Sequence, residues 1–246
     1  MRGWWQEITG LVLPVACAGC GCPRTPLCDA CARTLHGRPP RRVRPTPEPA
    51  GLPEVHAAAP YADAVRAVLL AHKERGALGL ARPLGVALAS AVRAAAGPRG
   101  AWGEGAGAGP LLLVPLPSAR RAVRARGHDS VRRIASAAAG ELRRSGTVAW
   151  AVPVLRQCRA VADQSGLGAR ERLANMAGAL EVGAGSGWFP PDGCLVLVDD
   201  LMTTGASLTE AARAVRAAFA GARGRTPQVK AAVVAASPAS FEINRN

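Results

Sequence analysis

The sequence predicts an α/β protein with a mostly parallel sheet flanked by helices, because short apolar runs alternate with Ala-rich segments of helical length. Its 246 residues suffice for one full α/β domain and a small appendage. A hydrophobic content of 49% supports a sizeable core, and with 4% aromatic residues we expect Ala, Val and Leu to fill it. In such a sheet, ligands bind at the carboxyl ends of the strands.

The individual elements follow from the apolar pattern and its interruptions. The expected strands are residues 111–114, 152–155, 180–182, 194–198 and 229–235. The expected helices are residues 61–71, residues 84–95, a segment carrying Val131, Ile134 and Ala138, and an Ala-rich stretch from near Leu208 to Phe219. Residues 97–109 are predicted to form a Gly/Ala loop, and residues 156–176 form a polar segment with few strand signals.

A cysteine cluster marks the N-terminal region. Cys17 and Cys20 form one Cys-x-x-Cys pair, and Cys28 and Cys31 form a second pair, with seven residues between the two pairs. Four thiolates complete the closed tetrahedral shell of a structural Zn²⁺. A disulfide framework is the competing explanation, but it suits small secreted proteins better, and we favour zinc. Cys22 is a fifth thiol, either free or able to replace Cys20 as a ligand.

Three regions follow from these patterns. Residues 1–36 are predicted to form a zinc-binding module, residues 37–56 a Pro/Arg-rich linker, and residues 57–246 the α/β domain. No apolar run approaches the length of a membrane span, and Glu7 and Pro14 interrupt the apolar stretch near the N-terminus. We therefore expect a cytoplasmic protein without membrane insertion.

The chain is strongly basic, with a formal net charge of +14, and Lys73 and Lys230 are its only lysines. A surplus of arginine can simply form a solvated basic surface. It can also attract phosphates, whether on a nucleotide or on a nucleic acid. Charge alone does not choose between these partners.

The most informative segment is residues 196–207, which read Val-Leu-Val-Asp-Asp-Leu-Met-Thr-Thr-Gly-Ala-Ser. A buried strand brings Asp199 and Asp200 to its end, where carboxylates can hold ribose hydroxyls or Mg²⁺. The following turn offers backbone N–H groups and hydroxyls at a helix N-terminus, where phosphate binds well. An ordinary junction with N-capping hydroxyls is the alternative, but a cap explains one hydroxyl rather than three. The predicted phosphate-binding residues are Thr203, Thr204, Gly205, Ala206 and Ser207.

A second candidate segment follows the strand at residues 111–114. It reads Pro-Leu-Pro-Ser-Ala-Arg-Arg and places Arg120 and Arg121 after a tight turn. There they can meet a phosphate group as bidentate donors, or they can lie on the solvent side of a helix start. The polar segment 156–176 either closes over a substrate or is a surface loop followed by a short helix.

Residues 196–207 resemble the phosphoribosyl-pyrophosphate (PRPP) signature of type I phosphoribosyltransferases. Nearly the whole chain is similar to the ComF family, bacterial proteins of that fold associated with natural competence. The further residues that carry this resemblance are the four cysteines, Tyr61, Val65-Arg66, Lys73, Val114 to Pro117, Arg126-Gly127, Gln164, Glu171-Arg172 and Asn175. The chain departs from the family at His128-Asp129-Ser130, where Phe-Asn-Gln is common, and at Val161, where Thr is usual.

The resemblance implies a type I phosphoribosyltransferase fold and a PRPP site for this chain. Asp199 and Asp200 would be the catalytic acids that orient the ribose, and residues 203–207 would hold the 5′-phosphate. Mg²⁺ would bridge the pyrophosphate oxygens, while Arg120 and Arg121 neutralise the leaving group. A nucleophile would displace pyrophosphate at the ribose C1. The alternative is a non-catalytic accessory protein that binds single-stranded DNA, acts with competence proteins, or senses PRPP or a related phosphosugar or nucleotide.

Overall fold

A six-stranded sheet organises the chain in a computed structural model that describes residues 15–97, 109–162, 166–183, 193–223 and 228–244. Its strands, in spatial order, are β1 (Arg41–Val43), β2 (Val55–Pro60), β8 (Val229–Ala236), β7 (Cys194–Met202), β3 (Leu111–Pro115) and β4 (Ala149–Ala151). β1 pairs with β2 antiparallel, and every other pairing in this sheet is parallel. Two short strands, β5 (Leu155–Gln157) and β6 (Leu180–Val182), form a separate antiparallel ribbon.

Helices cover both faces of the six-stranded sheet. They are α1 (Asp29–His36), α2 (Asp63–Glu74), α3 (Ala81–Ala96), α4 (Arg120–Arg126), α5 (Ser130–Arg144), α6 (Ala169–Met176) and α7 (Ala206–Arg223). Short 3₁₀ turns occur at Leu78–Leu80 and Pro238–Asn244. One apolar core joins α2, α3 and α5 to one face of the sheet, and a second joins α7 and the β5–β6 ribbon to the other face. The predicted α/β class with a mostly parallel sheet is confirmed.

Local sequence explains how the helices begin and approach each other. Asp129 caps α5, because its Oδ1 accepts a hydrogen bond of 3.2 Å from the Arg132 backbone N–H. Gly85 lets α3 approach α5 closely: a Cβ there would lie 2.5 Å from the Ala137 Cβ and 2.9 Å from the Ala138 backbone nitrogen. Small residues therefore set the spacing of the two helices.

One helical stretch among the described residues, Leu78–Ala96, is long and apolar enough to cross a membrane by length and composition. Half of its apolar window is buried inside the protein, because α3 packs against the sheet and against α5. A core helix passes the same test, so this stretch is weak evidence for a membrane span.

The structure corrects several predicted elements. The strand predicted over 152–155 is wrong: Pro153 lacks the N–H that a ladder needs, and β4 ends before it while β5 begins after it. The segment 37–56, predicted as a linker, contributes β1 and the first residues of β2. Prolines flank β1, and an edge strand tolerates them because one side of it needs no ladder hydrogen bonds.

The other predicted elements occur with shifted ends. β7 and the last helix are longer than expected, since β7 continues through both aspartates to Met202 and α7 begins at Ala206. The polar segment 156–176 contains the end of β5 and the helix α6. Gln164, Glu7, Pro14 and most of the predicted Gly/Ala loop lie outside the described residues.

Candidate functional site

The acidic pair lies at the carboxyl end of the sheet, on β7 between β3 and β8. Asp199 is half-buried, and Asp200 is 4% exposed. The Asp200 backbone N–H donates a hydrogen bond of 2.8 Å to Asp199 Oδ1, which holds that carboxylate against its own strand. The predicted acids are therefore at the expected edge of the sheet, although they belong to β7 rather than to the loop after it.

Of the five residues predicted to bind phosphate, Thr203 to Gly205 connect β7 to α7, and Ala206 and Ser207 begin the helix. A shallow depression is lined by Asp199 and residues 201–208, so the half-buried carboxylate and the turn share one concave surface. The Gly205 carbonyl accepts a hydrogen bond of 2.9 Å from the Thr209 backbone N–H, which closes the first turn of the helix. The helix α7 begins directly after this turn, so the positive N-terminal end of its dipole lies there, and its 18 residues make it long enough for that dipole to matter.

Gly205 is required at this turn for two reasons. Its φ of +77° lies in the left-handed region that favours glycine. A Cβ at this position would also lie 2.9 Å from Leu52 Cδ1 and 3.5 Å from Pro45 Cγ. The segment predicted to be a linker therefore packs over the back of the turn and restricts its conformation.

An arginine from another element reaches the same turn. Arg172 on α6 donates a hydrogen bond of 3.0 Å from Nη1 to Thr203 Oγ1, across 31 residues of sequence. Its Nε is buried and makes no hydrogen bond within the part of the chain that the structure describes. The loop before α6 is anchored too, because the Asn175 side chain bonds both the backbone N–H and the carbonyl of Ala162. A positive charge with unused hydrogen-bonding capacity thus lies beside the predicted phosphate turn.

A lysine compensates the buried acid. Lys73, in the last turn of α2, places its Nζ 2.8 Å from Asp200 Oδ2. Burial alone would lower the pKa of Lys73, but the charges of Asp200 and Asp199 outweigh it and raise the pKa above 10.5. Burial raises the pKa of Asp199 well above 3.8, and the neighbouring Asp200 charge adds to that increase.

The surroundings of Lys73 are held by α4 and by the turn that follows it. The Arg126 guanidinium lies 3.2 Å from Glu74 Oε1 and 3.5 Å from the Lys73 carbonyl oxygen. His128 Nδ1 lies 3.0 Å from the Arg126 carbonyl oxygen and its Nε2 lies 3.3 Å from the His72 carbonyl oxygen, and a neutral imidazole can donate a hydrogen bond to one of the two. The His128 ring thus lies between the α4–α5 turn and α2.

The two arginines predicted to meet pyrophosphate are exposed. Arg120 and Arg121 are the first residues of α4, directly after the turn that follows β3. Arg126 is the residue of this helix that reaches Lys73 instead. The role of Arg120 and Arg121 stays a prediction. Lys73, Arg126 and Arg172 were part of the family resemblance without a role, because nothing in the local sequence indicates which distant groups they meet.

The four predicted zinc ligands come together. The thiol sulfurs of Cys17, Cys20, Cys28 and Cys31 all lie within 4.8 Å of one another. A tetrahedral Zn²⁺ with thiolate ligands requires sulfurs about 3.8 Å apart, and the Cys20–Cys28 separation is 3.6 Å. Burial alone would raise the pKa of Cys17, but hydrogen bonds from the backbone N–H groups of Cys28, Cys20 and Gly19 lower it to about 6. The donor set fits a structural metal ion such as zinc.

Comparison with known proteins adds no relative. No protein-family model matches the chain. A search of curated proteins finds no significant match. The interpretation of the site therefore depends on its own residues and geometry.

Proposed function

We propose that this protein binds PRPP, or a related phosphosugar or nucleotide, on a type I phosphoribosyltransferase fold. The observation that carries this proposal is the hydrogen bond from Arg172 to Thr203, in the turn directly before α7. A hydroxyl-rich turn and a helix N-terminus line one shallow depression, and the part-buried Arg172 contacts Thr203, one of the residues that line it. These are the groups that a terminal phosphate needs for charge-assisted hydrogen bonds.

The sugar would lie between this turn and the acidic pair. Asp199 lines the same depression as residues 201–208, so a ribose attached to the bound phosphate has a carboxyl group within its reach. An oxocarbenium-like transition state develops positive charge near C1, which a neighbouring carboxylate stabilises. In the transferase reaction a nucleophile attacks C1 while pyrophosphate leaves, and Mg²⁺ would accompany the pyrophosphate oxygens. Arg120 and Arg121 would then approach the leaving group from α4.

The remaining assignments follow from the family resemblance. The protein would be a cytoplasmic member of the ComF family, linked to DNA uptake and to competence proteins. Its zinc module would be structural, because four thiolates leave no open position for catalysis.

A second candidate function is binding of single-stranded DNA without transfer. Exposed arginines gather on α4 and the first turns of α5: Arg120, Arg121, Arg124, Arg132 and Arg133. Such a surface attracts a phosphate backbone, and its affinity for DNA would fall steeply with salt. DNA binding that persists in Asp199→Asn would favour this function, since the acid serves only the phosphosugar site.

The deciding experiment is calorimetric titration of the zinc-loaded protein with PRPP and Mg²⁺. Arg172→Gln should weaken binding at least about tenfold, because it removes a charge-assisted hydrogen bond to phosphate. Arg133→Gln is the matched control: it makes the same charge change on the exposed face of α5 and should leave the affinity unchanged. Equal losses in the two variants would indicate a general charge effect, and no binding to the unmodified protein would overturn the phosphosugar site.

A further inference from the structure

The Lys73–Asp200 pair differs from an ordinary surface ion pair. The Asp200 side chain is 6% exposed, whereas the Lys73 side chain is 36% exposed. A buried carboxylate needs a partner, because an uncompensated charge in a low-dielectric environment is strongly unfavourable. α2 supplies that partner from 127 residues away. The ammonium therefore lies against the acid, while 36% of the lysine side chain is open to solvent.

The position of this ammonium is the one that a divalent cation would need. Mg²⁺ binds carboxylate oxygens at about 2.0–2.1 Å. Lys73 Nζ already lies 2.8 Å from Asp200 Oδ2, and Asp199 is also within its electrostatic influence. A metal ion on Asp200 would lie against the ammonium and would be repelled by it. The acidic pair is thus occupied by a cation of the protein itself.

We propose that Lys73 is the resident cation of the acidic pair, in place of a divalent metal ion, and that its open side binds the phosphate oxygens of the ligand. The second half of this inference rests on the proposed phosphosugar site, while the first half does not. An ammonium has three N–H donors. Asp200 accepts one of them, so the others can donate to an anion at the carboxyl edge of the sheet.

This assignment divides the work of the two acids. Asp200 holds Lys73 and is a positioning residue, whereas Asp199 lines the depression and is the acid that a ribose hydroxyl would meet. Any Mg²⁺ would enter bound to the pyrophosphate of the ligand rather than to Asp200.

The test measures cation and anion binding separately in Lys73→Met, which keeps the length of the side chain and removes its charge. Titration with Mn²⁺, followed by the paramagnetic resonance signal of the free ion, should reveal binding at least about tenfold tighter than in the unmodified protein, because two carboxylates lose their cation. Calorimetry with inorganic pyrophosphate, without added Mg²⁺, should show a loss of at least about tenfold. Both titrations use zinc-saturated protein.

Two further variants keep the test decisive. Lys230→Met removes the only other lysine of the sequence. Lys230 lies on β8, its Nζ is 3.4 Å from Glu54 Oε2, and its loss should change neither the Mn²⁺ nor the pyrophosphate titration. Asp200→Asn releases Lys73 from its partner and should strengthen pyrophosphate binding, which tests the proposal even if Lys73→Met does not fold.

The outcomes separate this inference from the proposed function. Mn²⁺ binding that is equally tight with and without the Lys73 charge would overturn the resident cation, whatever the ligand. Weaker pyrophosphate binding in Asp200→Asn would likewise overturn the division of roles between the acids. Mn²⁺ binding gained in Lys73→Met, without pyrophosphate or PRPP binding to any form, would support the resident cation and refute the phosphosugar site.

Discussion

Replacement of Gly205 by alanine tests whether the phosphate turn is shaped by its own backbone and by the segment that covers it. An alanine at φ of +77° is strained by about 1–2 kcal/mol, offset in part by a less flexible unfolded chain. The new Cβ would also lie 2.9 Å from Leu52 Cδ1. This atom ends a flexible side chain, so relief of the clash adds about 1 kcal/mol, at the low end for overpacking. We expect a total destabilisation of about 2 kcal/mol.

A second glycine separates the two contributions. Gly146 has nearly the same φ, +78°, and a Cβ there would meet nothing within 4 Å. Gly146→Ala should therefore cost about 1 kcal/mol of unfolding free energy, from backbone strain alone. Thermal denaturation followed by circular dichroism should show melting temperatures lower by about 6 °C for Gly205→Ala and about 3 °C for Gly146→Ala.

Leu52→Ala completes the comparison with a double-mutant cycle. Once Leu52 is shortened, Gly205→Ala should cost no more than Gly146→Ala, because only the strain remains. Equal destabilisation by the two glycine substitutions, with no coupling to Leu52, would refute the idea that the segment before β2 covers the turn. In the same samples, only Gly205→Ala should weaken PRPP binding.

Three other changes test the core, the acid and the metal module. Gly85→Ala should destabilise the protein by about 1–3 kcal/mol in urea denaturation, because the new Cβ would force α3 away from α5. Gly140→Ala is its control on α5: the new Cβ would meet only the end of the Arg143 side chain, at 3.9 Å, so this change should stabilise the protein by about 0.5–1 kcal/mol. Asp199→Asn should raise the melting temperature at pH 7 but change it little near pH 4. The pKa of Asp199 is raised in the folded protein, so the folded state is favoured while the acid is protonated, and this advantage is lost as the pH rises through the folded pKa. An equal change in melting temperature at both pH values would contradict this. Cys31→Ser should abolish stoichiometric zinc, measured by atomic absorption, and lower the melting temperature, because α1 packs on the core next to this ligand.

The sequence predicted those parts of the site in which neighbouring residues act together. Residues 194–207 form one strand, one turn and one helix start, so their order along the chain is also their order in space. The two Cys-x-x-Cys pairs converge for the same reason, since each pair already holds its two sulfurs close together. Local spacing carried enough information in both cases.

The covering segment and the cations could not be predicted in this way. Residues 37–56 are rich in proline, which argues against regular structure, yet pairing with β2 makes an edge strand of Arg41–Val43. The contacts of Lys73 with Asp200 and of Arg172 with Thr203 depend on how α2 and α6 pack on the sheet. No periodicity in the sequence records that packing.

The electrostatic requirements of the site explain why distant elements must supply these cations. A hydroxyl-rich turn at a helix N-terminus attracts an anion, while two adjacent carboxylates repel one, and both lie at the same end of β7. Without a compensating cation, the acids would oppose any phosphate at this turn. Lys73 neutralises the acid that is more deeply buried, and Arg172 adds positive charge on the side of the turn. Asp199 is left with a raised pKa, because its burial and the neighbouring Asp200 charge both disfavour its ionised form. The proposed sugar-phosphate site requires such positive charge beside an acidic pair, and α2 and α6 supply it.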